Sequence, residues 1–186
     1  MIIRMTTKEI ISASFIELAE VHAVKYITVK KISDNCGITT RTFYNHFQDK
    51  YELTNWIYDH QVEEFFQALQ NGCTWAQCLR LCVEALLKHH SFYCNILNDV
   101  EYRTYFHYGT NNYAITLLCE YIKKKSSIQW DDEKLTVYCT MYMRSVAEII
   151  ISWLRQKKPW TVERLVTLLV AGVPQPLYSY LGKLQS

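Results

Sequence analysis

Apolar residues recur at intervals of three and four along most of the chain, the spacing that gives an α-helix one apolar face. The apolar stripe of the first segment consists of Ile10, Ile11, Phe15, Leu18 and Val21. The whole chain has only 5 glycines and 3 prolines, and Asn-Gly or Asp-Gly occurs once, at Asn71-Gly72. So few turn residues favour long helices over the strands of an α+β domain, the alternative fold. The pattern predicts an all-α protein.

Capping and helix-breaking residues set the ends of the predicted helices. The expected N-caps are Thr6 or Thr7, Thr28, Thr39 or Thr40, and Asp49. Glycine at positions 37, 72 and 172 is expected to end a helix. The predicted helices span residues 7–24, 29–36, 39–47, 50–69, 74–90, 91–97, 111–125, 131–156 and 161–171. Residues 99–110 show no clear period.

Residues 28–47 carry the spacing of a helix-turn-helix. Two short helices cross closely only if a small residue lies between them, and Ser33 supplies it. Four positions later, Gly37 provides the residue that tolerates a positive φ in the tight turn. The apolar residues expected to fix the crossing are Ile32, Cys36, Ile38, Phe43 and Phe47. The rest of the second helix should therefore face outward.

The side chains expected to face outward are polar and long enough to reach base edges in a major groove. They are Thr39, Thr40, Arg41, Thr42, Tyr44, Asn45 and His46. The formal net charge of the whole chain is only +2, but residues 25–50 contain five Lys or Arg and two Asp, a local net charge of 5 − 2 = +3. A modest basic face is what contact with phosphates requires. This segment is therefore predicted to bind DNA.

The same segment resembles the signature of the TetR family of transcriptional regulators. In that family a small residue, Gly, a β-branched residue and Ser or Thr precede a Tyr-x-His-Phe ending and a Lys three residues later. The matching positions here are Thr28, Ile32, Cys36, Gly37, Ile38, Thr39, Phe43, Tyr44, Asn45, His46, Phe47, Lys50 and Leu53. Ser33 and Cys36 stand where Ala is usual. The resemblance covers residues 7–69, and residues 50–58 are similar to the branch that includes the dihydroxyacetone-kinase operon regulator.

The resemblance implies a TetR-like architecture. Residues 1–49 would form a three-helix DNA-binding domain, with the signature extending to about 69, and residues 50–186 a helical-bundle regulatory and dimerisation domain. A cytoplasmic bacterial repressor would bind a palindromic operator in double-stranded DNA as a homodimer, controlled by a small molecule or a partner protein. The residues do not separate repression from activation, because that depends on operator position. A helix-turn-helix scaffold that binds no DNA is the alternative.

The resemblance also implies roles for individual residues. Thr28 and Lys30 would bond phosphates at the start of the supporting helix. Arg41 would read guanine, whose O6 and N7 suit its fork, unless it is a solvated surface charge. The further base-contact candidates are Thr39, Thr40, Thr42 and Asn45. The backbone-contact candidates are Tyr44, His46 and Lys50, of which the first two could instead pack against the first helix.

Two segments near the end of the chain carry enough apolar surface for a four-helix contact between protomers. The candidate interface residues are Met141, Val146, Ile149, Ile150, Trp153, Leu165, Leu168 and Leu169. An ordinary core is the alternative. Aromatic residues between the two ends suggest either a ligand pocket or core filling. These are Trp75, Phe92, Tyr93, Tyr102, Tyr105, Phe106, Tyr108, Tyr113, Tyr121 and Trp130.

The 7 cysteines are odd in number and form no CxxC pair, which favours reduced thiols. Cys73, Cys78 and Cys82, followed by His89, His90 and Cys94, could serve as a metal or redox sensor, or simply fill space as small apolar residues. We expect no metal and no cofactor. The sequence contains no catalytic motif, so an enzyme is not expected. It also contains no signal peptide and no apolar run long enough to cross a membrane, so a membrane protein is not expected.

Overall fold

The computed structural model describes residues 5–105, 111–156 and 160–182. Within these ranges every regular element is helical, which confirms the predicted all-α fold. The helices are α1 Thr7–Val21, α2 Val29–Asn35, α3 Thr40–Tyr44, α4 Lys50–Gln70, α5 Trp75–Lys88, α6 His90–Asn98, α7 Val100–Tyr105, α8 Asn111–Lys125, α9 Asp132–Leu154, α10 Val162–Ala171 and α11 Tyr178–Leu181. Short 3-10 helices lie at Val24–Tyr26 and Gln175–Leu177.

The helices form two compact units, each built from two separate stretches of chain. The N-terminal unit contains Met1–Tyr58 and His89–Phe106, and the C-terminal unit contains Asp59–Lys88 and His107–Ser186. The helices α6 and α7 therefore belong to the same unit as the helix-turn-helix. Helical periodicity could not reveal this, because it reports which face of a helix is apolar and not which distant segment covers that face.

The core of the N-terminal unit is built around α1, which packs against α2 and α6. Phe15 and Ala19 on α1 are fully buried. Phe15 meets Phe92 of α6 edge to face, with ring centroids 5.7 Å apart. The Asn95 amide of α6 donates to the carbonyls of Ala19 (2.7 Å) and His22 (3.1 Å). Because the last carbonyls of a helix lack partners within it, this amide stabilises the end of α1.

The core of the C-terminal unit is formed where α8 packs on α9 and α5 packs on α10. A buried chain of hydrogen bonds links three of these helices. The Trp75 indole on α5 donates to the Tyr142 hydroxyl of α9 at 2.8 Å, and that hydroxyl donates to the Leu169 carbonyl of α10 at 3.0 Å. Both rings are almost fully buried, so each polar tip finds the partner that burial demands.

Side-chain caps fix several helix starts where the sequence placed them. Thr6 caps α1 in a capping box with Glu9. Asp49 precedes α4, and its Oδ1 accepts from the backbone N–H groups of Tyr51 and Glu52, both at 2.8 Å. Thr39, rather than Thr40, caps α3. These caps explain why the starts of these helices were predicted more accurately than their ends.

The main differences from the predicted elements are short or terminal. The first helix ends at Val21 instead of continuing to residue 24. The third ends at Tyr44 instead of residue 47. In the segment without a clear period, α7 begins after Asp99, whose carboxylate accepts from the N–H groups of Glu101 and Tyr102. A helix of one or two turns has too few apolar positions to show a period, so α7 and α11 were missed.

Candidate DNA-binding interface

The segment from Thr28 to Thr39 folds as a helix, a tight turn and a second helix start. The Thr28 hydroxyl accepts from the Lys31 N–H at 3.2 Å and caps α2. Gly37 has a φ of +72°, the left-handed conformation that the turn requires, and the Ile38 N–H then donates to the Ser33 carbonyl at 3.0 Å. The Thr39 hydroxyl accepts from the N–H of residue 42 at 3.0 Å and caps α3. Both helix N-caps and the glycine turn expected of a helix-turn-helix are therefore present.

Small and aromatic side chains hold the two helices of the motif together. Ser33 is fully buried, which is consistent with its expected place between the helices. Phe43 and Phe47 are buried beside each other, with ring centroids 5.8 Å apart. The Ser14 hydroxyl of α1 donates to the Ile32 carbonyl of α2 at 2.9 Å, which joins the motif to the preceding helix. The motif is thus part of a packed three-helix core.

The side chains predicted to read DNA fall into two groups. Thr40, Arg41, Tyr44 and Asn45 are exposed on α3 and its end. Thr42 and His46 are half-buried, and the hydroxyls of Thr39 and Thr42 lie 2.9 Å apart and bond each other. The first group forms an outward polar edge, which we call the α3 edge (Thr40, Arg41, Tyr44 and Asn45). The Thr39 hydroxyl is committed to capping and is therefore less available for a base.

Two predicted phosphate-binding lysines have very different surroundings. Lys30 is exposed and forms an ion pair with Asp34 one turn later, at 2.6 Å. Lys50 is half-buried, and its ammonium donates to the carbonyls of Val24 (3.0 Å) and Ile27 (3.1 Å). Lys50 therefore ties the start of α4 to the segment before α2, a role that the sequence did not suggest. Its contact with phosphate stays a prediction.

The Lys50 ammonium also lies over aromatic rings of the N-terminal unit. It is 5.5 Å from the ring centroid of Tyr102 on α7 and 5.8 Å from that of Tyr51. Burial lowers the pKa of this lysine, while the carboxylates of Asp99 and Glu101 act in the opposite direction and favour its charge. The fully buried Tyr102 thus connects α7 to the base of the motif.

The candidate dimer residues divide into a set that is buried within the chain and a set that is exposed. Within the single chain, five have at most 5% of their surface exposed: Val146, Ile150, Trp153, Leu165 and Leu169. They form the core of the C-terminal unit, so they have no surface left for a partner. Met141 (61%), Ile149 (41%) and Leu168 (38%) remain exposed, as does Val137. For these five residues, burial within the chain favours the alternative interpretation, an ordinary core.

Four of the ten aromatic residues considered for a ligand pocket are core residues, and Tyr113, Tyr121 and Trp130 are half-buried. Trp75, Phe92, Tyr93 and Tyr102 are almost fully buried. Phe106 and Tyr108 lie outside the described residues. In the C-terminal unit, the half-buried Tyr113 has a polar partner: its hydroxyl donates to the Glu63 carboxylate. Nearby, burial and the Glu63 carboxylate raise the pKa of Asp59 to about 6.

The cysteine and histidine residues considered for a sensor do not converge. Burial raises the pKa of both Cys78 and Cys82 to about 12, which leaves these thiols protonated. His89 bonds Glu20 at 3.0 Å, whereas His90 contacts Cys94. Among the described residues, no group of three or more His, Cys, Asp or Glu side chains could hold a metal ion. Nor does any helix in the described ranges have the length and apolar character needed to cross a membrane.

Residues 73–172 match a family model described as the C-terminal region of TetR transcriptional regulators. The chain is also 26% identical to the HTH-type dhaKLM operon transcriptional activator DhaS of Lactococcus lactis subsp. lactis (strain IL1403), over 77% of this chain and 76% of that protein. These proteins are regulators rather than enzymes, in agreement with the lack of catalytic motifs.

Solved structures share the fold. The dihydroxyacetone kinase operon activator DhaS superposes with a TM-score of 0.62 at 24% identity, covering 90% of this chain and 96% of that one. The TetR-family repressor AlkX from Dietzia sp. strain DQ12-45-1b gives 0.61 at 12% identity, covering 97% and 99%. The family model spans more than half of the sequence. The helix-turn-helix signature precedes the matched region in the same chain. The chain therefore belongs to the TetR family of transcriptional regulators, and it resembles the DhaS branch.

Proposed function

We propose that this regulator binds a palindromic operator as a homodimer, reads its sequence with the α3 edge, and is controlled by a small molecule or a partner protein. DNA binding is assigned to residues 1–49, and dimerisation and control to residues 50–186. The observation that carries the proposal is the α3 edge itself. It presents Arg41, Thr40 and Asn45 to solvent at the end of a helix-turn-helix whose turn and caps are fully formed.

The composition of the α3 edge suits direct reading of bases. No side chain among the described residues bonds the Arg41 guanidinium, so its planar fork is available for guanine. Tyr44 is 58% exposed and stands edge to face against Phe43, and its exposed hydroxyl is our candidate for a phosphate contact. The solvated-surface alternative for Arg41 predicts no sequence preference, so the two interpretations differ in a measurable way.

Operator selection from random duplexes followed by fluorescence anisotropy tests the proposal. We expect Arg41→Ala to weaken binding by about 1–3 kcal/mol and to relax preference at one position in each half-site. The matched control is Lys124→Ala, which removes one exposed positive charge from α8 of the C-terminal unit and should leave affinity unchanged. A dimer that contacts about 6–10 phosphates should lose on the order of 10³–10⁵ in affinity between about 50 and 200 mM salt.

The alternative function is a helix-turn-helix that serves only as a protein scaffold. The buried hydrogen bond that joins Ser14 of α1 to the Ile32 carbonyl of the motif would be compatible with that role. Low-salt binding to random duplexes separates the two, because nonspecific phosphate attraction operates for any DNA-binding protein of this family and not for a scaffold. Absence of all binding under those conditions would support the scaffold.

A further inference from the structure

The Lys50 ammonium lies between three separate stretches of the N-terminal unit. It donates to the carbonyls of Val24 (3.0 Å) and Ile27 (3.1 Å), in the segment that precedes α2. The ring centroid of Tyr102 on α7 is 5.5 Å from the same ammonium, and that of Tyr51 on α4 is 5.8 Å away. We call this arrangement the Lys50 cage, which consists of the two carbonyls and the two rings around the ammonium.

Tyr102 is held in the Lys50 cage by contacts that do not involve the lysine. Its side chain is fully buried and is stacked against Phe15 of α1, with ring centroids 6.5 Å apart. Its backbone N–H donates to the Asp99 carboxylate at 3.2 Å, which fixes the start of α7. The Tyr102 hydroxyl has no hydrogen-bond partner among the described residues. The aromatic ring, rather than the hydroxyl, is therefore the part of Tyr102 that contacts the rest of the unit.

The charges around the Lys50 cage favour a cation at its centre. The face of an aromatic ring attracts a cation, and the attraction is stronger where water is excluded. Burial lowers the pKa of Lys50, whereas the carboxylates of Asp99 and Glu101 oppose that effect and favour the ammonium. One of the two rings and both of these carboxylates come from the short stretch 99–102. This stretch therefore supplies much of the environment that holds the ammonium in place.

We propose that Tyr102 is a positioning residue for DNA binding, which acts by holding the Lys50 ammonium against the segment that precedes α2. The inference rests on the proposed function. The 3-10 turn Val24–Tyr26 leads to Thr28, the N-cap of α2, and α2 leads through Gly37 to the α3 edge. Without the tie from Lys50, this segment is no longer fixed to the start of α4. The α3 edge must then be ordered when DNA binds, and that ordering weakens binding.

The proposal gives Lys50 a different role from the phosphate contact that the sequence predicts. A lysine ammonium has three protons to donate, and two of those of Lys50 are donated to carbonyls inside the protein. A lysine that contacts a phosphate adds about 0.9 to the slope of log affinity against log salt concentration, whereas an internal tie leaves the slope unchanged. The proposal also makes α7 part of the DNA-binding machinery, which the boundary at residue 49 leaves out.

Operator affinity of full-length variants tests the proposal, measured by fluorescence anisotropy under conditions where circular dichroism shows each variant folded. We expect Tyr102→Leu, which removes the ring, to weaken binding by about 3- to 30-fold. Tyr102→Phe keeps the ring and should rescue the affinity. Phe92→Leu is the matched control, because it removes a buried ring of α6 that packs on Phe15, and it should not weaken binding.

Dependence on Lys50 separates a positioning role from a purely structural one. In a Lys50→Met background, Tyr102→Leu should cause no further loss of affinity, because the ammonium that the ring holds is absent. The same loss in both backgrounds would overturn the proposal. A salt slope that is shallower by about one in Lys50→Met would also overturn it, because that result would place the ammonium on a phosphate.

A second measurement examines the Lys50 cage without any substitution at Tyr102. In the proton NMR spectrum of the unsubstituted protein, the Hε protons of Lys50 should resonate upfield of those of the exposed Lys124, because rings shield nuclei above their faces. Coincident resonances would contradict the cage. Should Tyr102→Leu fail to fold, Tyr102→Met replaces it in the same cycle, since a flexible Met side chain fills irregular gaps.

Failure of this inference is distinguishable from failure of the proposed function. If the unsubstituted protein binds neither a selected operator nor random duplexes at low salt, the proposed function is wrong. If the unsubstituted protein binds its operator and Tyr102→Leu binds it equally well, only the role given to Tyr102 is wrong.

Discussion

At the scale of single residues, Gly37 has the positive φ that was expected of it from the spacing of the motif. The residue adopts a φ of +72°, and a Cβ built there would meet no atom within 4 Å. A substitution at this position therefore costs backbone strain alone. The glycine and the capping threonines were identifiable from sequence because each acts within its own turn. The tie between Lys50 and two carbonyls was not, since it joins residues separated by more than twenty positions.

We predict that Gly37→Ala destabilises the protein by about 1–2 kcal/mol, the cost of holding an L-residue in the left-handed region. Gly37→Asn should cost less, because Asn tolerates that region better. Urea unfolding followed by circular dichroism measures both. Gly172→Ala is the control, since Gly172 has a negative φ and a Cβ there would make only ordinary contacts of 3.5 Å. Equal effects at the two glycines would argue against strain as the cause.

Lys50→Met tests whether Lys50 supports the motif or grips phosphate. Removing the ammonium leaves the carbonyls of Val24 and Ile27 without that donor, and we expect a loss of about 1–2 kcal/mol in the free energy of unfolding without DNA. Lys30→Met, which breaks only an exposed ion pair, should change stability by less than about 0.5 kcal/mol. If Lys50→Met unfolds like the unsubstituted protein and loses only DNA affinity, its main role is phosphate contact.

At the scale of elements, helix starts were predictable and the outer face of α9 was not. Caps such as Asp49, whose Oδ1 accepts from the Tyr51 N–H at 2.8 Å, are local signals. In α9, however, apolar residues occur on more than one side of the helix. Val146 and Ile150 face the core, whereas Val137 and Met141 face solvent. Periodicity cannot distinguish an apolar stripe that meets its own chain from one that awaits a partner.

The carboxylates of α4 give the stability a predictable pH dependence. The folded-state pKa of Asp59 is about 6, above its ordinary 3.8, first because of burial and then because of Glu63. The native protein therefore binds this proton more tightly than the unfolded chain does. The resulting stability is fully present below the unfolded pKa and is lost as the pH rises through about 6.

Asp59→Asn removes this loss because the amide does not ionise. We compare the free energy of unfolding of the variant with that of the unsubstituted protein. The difference, variant minus unsubstituted, should be larger at pH of about 7.5 than at pH of about 4, by about 1–2 kcal/mol. Chemical unfolding at the two pH values measures the change. Glu64→Gln, an exposed change on the same helix, should produce no such gain. A difference between variant and parent that is constant with pH would contradict the raised pKa.

At the scale of the whole molecule, the fold class and the family followed from the sequence, whereas the composition of the two compact units did not. The N-terminal unit includes His89–Phe106, and Asn95 and Tyr102 from that stretch support the helix-turn-helix core. These contacts depend on which distant surfaces are complementary, and a single sequence contains no direct record of that. For the same reason, the set of candidate dimer-interface residues could be narrowed only after the burial of each residue within the chain was known.

Dimerisation is the property of the whole molecule that the exposed apolar residues predict most directly. Val137 and Met141 lie one turn apart on α9, Ile149 lies two turns further on, and Leu168 is exposed on α10.

If this face joins two protomers, Met141→Glu places a charge in a buried contact without a partner and should yield monomers by sedimentation velocity, with weaker operator binding. The variant should still fold, because Met141 is 61% exposed within the chain. Ile128→Glu, at a residue 64% exposed between α8 and α9, should remain dimeric. A dimeric Met141 variant, a monomeric Ile128 variant, or a monomeric unsubstituted protein would each place the interface elsewhere or remove it.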